Sequence, residues 1–354
     1  DGSLLGLARM LVLLTRDPRI AASMVEQRAL PLVLRPLLTR RRFQRASYQR
    51  LVIIVLRHMV ESGGSLLPLL TNELHVWMNQ SSRPRPTEVS SLLKAMGHSV
   101  IRSPPTFLYA AASQLELIEF HSMKSPTNLR PRQGAQVPDE PASAQAMYDA
   151  VVHMLMNDLV SVREGTTNAP EADADSLISV SDARDTYVFA LLQCLVELLS
   201  SYMGCKQSFL QYRVHGTTPV LAYFMNELVP IGFLAQYEAE ELRKRMTESN
   251  WAISVLVALA TDPLPLPDAT SVPDMLVSIR KALLDALYKA LREATQTDGQ
   301  LEIKFGRLYA LSDTCHRLLT ARPNTDTTAP KRMEVVLHMA KTMLEKNFVA
   351  VLTQ

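Results

Sequence analysis

At 354 residues the chain is longer than one compact core of ordinary size, so two globular domains or one elongated repeat array would both fit. Apolar content near half, few aromatics and abundant Leu, Ala, Val and Met favour helices packed on helices and set sheet-rich folds aside. Charge is balanced at +2, and no run reaches the ~18 uncharged apolar residues that cross a bilayer.

The first predicted helix is Leu4–Leu14, with Leu4, Leu7, Ala8, Leu11 and Leu14 on one side. Thr15-Arg16-Asp17-Pro18 breaks it, with Asp17 as cap and Pro18 at the first position of a short helix reaching about Gln27. Pro31 opens a third helix through Leu38. Helix, turn, short helix, turn, helix is the grammar of an armadillo-like unit, whose apolar face stays bare until another unit stacks on it. Such units usually place a glycine before the third helix, and this sequence has Arg28-Ala29 there.

Gln44–Glu61 then reads as a core helix. Tyr48, Leu51, Val52, Val55, Leu56, Met59 and Val60 follow the spacing of one face, Ile53 and Ile54 widen it, and Ser62-Gly63-Gly64 stops it. Leu66–Asn79 follows, then a Pro-rich loop at Ser81–Pro86, a helix capped by Thr87 and ending at Gly97, and Thr106–Phe120 started by Pro104-Pro105. Ser122–Ser143 has four prolines and almost no apolar side chains, too few to offset the cost of ordering, and is expected to be a mobile loop. Ala144–Leu159 is helical, and Arg163–Asp175 is a solvated loop with Glu171, Asp173 and Asp175.

The second half repeats the theme. Val188 to Tyr202 forms a buried stripe ended by Gly204, followed by Cys205–Tyr212, Thr218–Leu228, the long Ala239–Ala260, then Met275–Ala294, Leu301–Thr320 and Pro330–Thr353. No strict period connects these pieces. The expected fold is therefore all-α, an irregular armadillo/HEAT-like α-solenoid with long disordered loops. Its expected organisation is armadillo-like repeats over 1–121, the loop 122–143, a helix over 144–160, an acidic loop over 161–180, and repeats again over 181–354.

Chemistry is sparse. Cys194, Cys205 and Cys315 lack metal-ligand spacing and sit in apolar helical patterns, which reads as buried reduced thiols. Cys315-His316 are adjacent on a helix, about 100° apart, and cannot share a proton as a nucleophile and its base. The scattered histidines form no H-E-x-x-H, and neither G-x-G-x-x-G nor a P-loop is present. No catalytic, cofactor-binding or metal-binding residue, and no small-molecule substrate, is expected. The charge concentration worth weighing is Arg40, Arg41 and Arg42 with Arg45 and Arg50, which could meet phosphates or an acidic partner; the plain reading is a solvated loop and helix start.

Several stretches together resemble one family. LLGLARMLVLLTRDPRIAASMVEQRALPLVLRPLL followed by LVIIVLRHMVES, then VSSLLKAMGHSVIRSPPTFLYAAA, FGRLYALSDTCHRLLTA and HMAKTMLEKNFVAVLTQ, run in the order found in the N-terminal armadillo-like region of the giant HECT-type E3 ubiquitin ligases. That family includes the human HECT, UBA and WWE domain-containing ligase and its fungal counterparts. The resemblance implies a non-catalytic scaffold segment that recruits and positions substrates for ubiquitin transfer by a C-terminal HECT domain outside this chain. Its implied partners are protein substrates and the remaining domains of the same ligase, with acidic or nucleic-acid-associated proteins suited to the arginine run and no membrane. Its implied location is nucleus and cytoplasm. The other reading is a free-standing armadillo-like adaptor or transport protein unrelated to ubiquitin, which a stop codon shortly after Gln354 would favour. The chain begins and ends within helical patterns, which suggests a piece of something longer.

Overall fold

The structure, a computed structural model, describes residues 2–39, 42–79, 88–118, 128–165, 180–233, 237–261, 274–296, 301–320 and 329–352. Among these described residues the fold is all-α apart from two short antiparallel pairs, Leu115–Ile118 with Asn128–Pro131 and Arg213–Val214 with Thr218–Pro219. Two compact units divide the chain. One draws mainly on Asp1–Gln27 and Ile54–Met147, the other on Arg28–Ile53, Tyr148–Pro263 and Val272–Gln354.

In the first unit, Gly2–Leu14 runs into a turn whose Asp17 carboxylate accepts the Arg19 amide at 2.9 Å, with Pro18 opening Pro18–Glu26 as expected. Pro18 has no N–H to leave unpaired, and the cap satisfies the next free donor. Ala8 is buried, but Leu7 and Leu14, expected inward, are 52% and 43% exposed. Val55, Leu56, Met59 and Val60 are all but fully buried, so the anticipated core face of the helix ending at Glu61 is real. Gly63 ends it where no side chain fits: an added Cβ would lie 2.6 Å from the Ser143 carbonyl oxygen, and the Ser143 hydroxyl donates to the Gly63 carbonyl at 2.6 Å. Leu66–Asn79 packs on Pro104–Gln114 around Leu70, Leu74, Trp77, Phe107 and Ala110. Each of these leucine and phenylalanine side chains, once fully buried, contributes about 1.5–3 kcal/mol.

The expected helix Thr106–Phe120 stops at Gln114. Leu115–Ile118 instead turns extended and pairs with Asn128–Pro131, which lies inside the stretch expected to be a mobile loop. Leu115 and Leu129 join the core from this hairpin, and the Gln114 side chain donates to the Gln136 carbonyl at 3.0 Å. Burial of Leu129 is what the composition of 122–143 as a whole conceals.

In the second unit the third predicted helix is split. Leu30–Leu34 and Pro36–Thr39 meet at Arg35, because Pro36 cannot donate to the preceding turn. Arg28, standing where such units usually carry glycine, takes the left-handed conformation itself at φ 53°. The Tyr48 hydroxyl donates to the Val33 carbonyl at 2.8 Å and ties the Arg42–Glu61 helix to this turn. Beyond it, Val180–Ser201 packs along Ala239–Ala260, and the chain continues neighbour on neighbour through Asp274–Gln296, Leu301–Thr320 and Ala329–Glu345. This is solenoid-like packing. Ala142–Glu164 outruns its predicted end by five residues. The predicted Thr218–Leu228 helix is a four-residue α-turn, Val220–Tyr223, that widens into a π-turn at Phe224–Leu228. The predicted Pro330–Thr353 helix breaks at Asn347, whose φ of 60° starts Phe348–Leu352.

Candidate functional site

The arginine run is only partly on view. Arg40 and Arg41 lie outside the described residues, and Arg42 and Arg45 stand in the first turn of Arg42–Glu61 with their side chains outside the description. Arg50 is exposed on the same helix. Thr87, Glu171, Asp173 and Asp175 also fall outside the described residues.

The three thiols are buried and stand outside any disulfide. Burial pushes Cys194 up to about 12, with Glu197 adding repulsion, and pushes Cys315 up to about 12. A thiol so held is a poor nucleophile at neutral pH. His316 is exposed beside the buried Cys315, the arrangement that their adjacency on one helix implied. Among the described residues no group of three or more His, Cys, Asp or Glu is placed to hold a metal ion. Among those residues, too, no single helix is long and apolar enough to cross a membrane.

The polar clusters that the structure does assemble were not legible as such. On Met203–Gln211, Lys206 is fully buried, and its Nζ donates to the carbonyls of Ala258, Leu259 (3.2 Å) and Thr261 (2.7 Å). Arg280, also fully buried, donates from Nε to the Ala260 carbonyl at 2.9 Å. Two cations thus close the C-terminal end of Ala239–Ala260, where the last carbonyls have no partner within the helix and the helix dipole is negative. At the opposite half of that helix, the fully buried Glu248 accepts Arg163 Nε at 2.8 Å and Arg245 Nη1 at 2.5 Å. Arg245 reaches further to Asp185 (2.8 Å) and Glu241 (2.6 Å), and Arg163 donates to the Tyr223 hydroxyl at 2.8 Å. A cavity of about 440 Å³ opens beside this network, walled by Arg163, Glu164, His215, Tyr223, Asn226 and Glu227 among others. Its groups are largely spent on one another: His215 Nε2 meets Glu164 at 2.7 Å, and Arg307 donates to Asn226 at 2.5 Å.

In the first unit, Arg102 pairs with the buried Glu61, the Ser99 hydroxyl donates to Glu73 at 2.6 Å, and His58 Nδ1 meets the Thr15 hydroxyl at 2.8 Å. Burial first, then the charges of Arg102 and Arg16, hold the His58 imidazolium down to about 4. An imidazole depressed from about 6.5 leaves the unfolded chain binding more protons between those values, so stability is full above pH 6.5 and falls as pH drops towards 4. A loss of about 2–3 kcal/mol across that window is expected, and His58→Gln flattens it; equal pH slopes for both proteins in denaturant titrations would reject the assignment. These clusters hold helices together. None of them brings a nucleophile, a base and an open site into one place.

No protein-family model matches the chain. It is 25% identical, over 98% of its length, to the E3 ubiquitin-protein ligase ptr1 of Schizosaccharomyces pombe. It is 24% identical over 85% to the E3 ubiquitin-protein ligase TOM1 of Saccharomyces cerevisiae, and 22% identical over 87% to a probable TOM1 ligase of Eremothecium gossypii. It spans only about a tenth of those relatives, 11%, 10% and 10% respectively. The resemblance read from the residues is thus met across nearly the whole chain: what the chain is similar to is a segment of the E3 ubiquitin-protein ligases of the ptr1 and TOM1 kind.

Proposed function

We propose that this chain is a non-catalytic helical scaffold segment of a giant HECT-type E3 ubiquitin ligase, recruiting and positioning protein substrates for ubiquitin transfer by a HECT domain elsewhere in the polypeptide. The observation that carries the reading is the similarity itself, which covers 98% of the chain and only 11% of ptr1. A segment of that kind contributes to transfer through proximity: a substrate held on it meets the ubiquitin thioester at a raised effective concentration. The buried thiols support a non-catalytic role, since a thioester needs an accessible thiolate. Its partners on this reading are protein substrates and the other domains of the same ligase, in nucleus and cytoplasm as the resemblance implies.

The test separates charging from transfer in the intact ligase. Removing this segment should leave the HECT thioester forming at its usual rate and reduce substrate ubiquitination at least tenfold, which corresponds to about 1.4 kcal/mol. Undiminished substrate ubiquitination, or a thioester formed on the 354-residue chain alone, would overturn the proposal.

A further inference from the structure

We draw no further inference here: the strongest candidate, the cavity of about 440 Å³ between the end of Ala142–Glu164, the Arg213–Pro219 hairpin and the π-turn at Phe224–Leu228, carries nothing, because Arg163, His215, Tyr223 and Asn226 are spent on neighbouring side chains and its two carboxylates, Glu164 and Glu227, are joined by no second feature that points to a ligand.

Discussion

Lys206→Ala is expected to cost about 3–5 kcal/mol of stability, read as the shift of a urea transition at constant m-value. The lysine is fully buried, and its ammonium is the meeting point of the Ala258, Leu259 and Thr261 carbonyls. Truncation removes donors from carbonyls that water does not reach, each an uncompensated polar group worth about 1–3 kcal/mol, and opens a cavity where the stem ran. Lys206→Met separates the two effects, because it refills the stem's volume and restores no donor. The methionine variant should fall between the alanine variant and the parent. A methionine variant as stable as the parent would show that packing alone matters and that the carbonyls find other partners. Lys289, 77% exposed and paired with Glu293 at 3.8 Å, is the control, and its replacement by Met should stay within about 0.5 kcal/mol.

That lysine also shows where sequence reading stops. In Met203–Gln211 it stands among small and apolar residues, and a charged residue at such a position reads as solvent-facing until the neighbouring helix end is known to lie against it. The long helices were legible because their apolar period persists over five or six turns: Ala239–Ala260 and Leu301–Thr320 begin and end where the pattern placed them. The misses cluster where the deciding contact is remote. Leu115–Ile118 continues the apolar run of the preceding helix, and only its pairing with Asn128–Pro131 makes it a strand. The π-turn at Phe224–Leu228 keeps helical spacing in the sequence and differs only in its hydrogen bonds. The missing glycine at Arg28 was visible, but its consequence was not: the backbone keeps the left-handed turn and accepts the cost at an arginine. As for the candidate site, charge concentration alone could single out the arginine run, yet the inward turn of Leu30, Val33, Leu34 and Tyr48 that leaves Arg28 and Arg35 outside needed the fold.

Glu248→Ala should be comparably severe, costing about 3–5 kcal/mol, because removing one partner strands the others. Glu248 is wholly buried, whereas the side chains of Arg163 and Arg245 are 17% and 19% exposed, so neither cation gains full hydration when the carboxylate is lost. Arg245 keeps Asp185 and Glu241, but Arg163 keeps only the Tyr223 hydroxyl and ring among the contacts described for its guanidinium, and is the more damaged of the two. Glu248→Gln preserves shape and one acceptor, and should lose roughly half as much. The decisive measurement is a double-mutant cycle with Arg163→Met. If Arg163 and Glu248 stabilise each other, the double variant is less destabilised than the sum of the singles by about 1–3 kcal/mol. Additivity within about 0.5 kcal/mol would mean that each side chain is held by its other neighbours. Burial also predicts that this coupling survives high salt, whereas the exposed Arg130–Glu116 pair at 2.6 Å, screened by the same ions, should contribute less than about 1 kcal/mol and lose it.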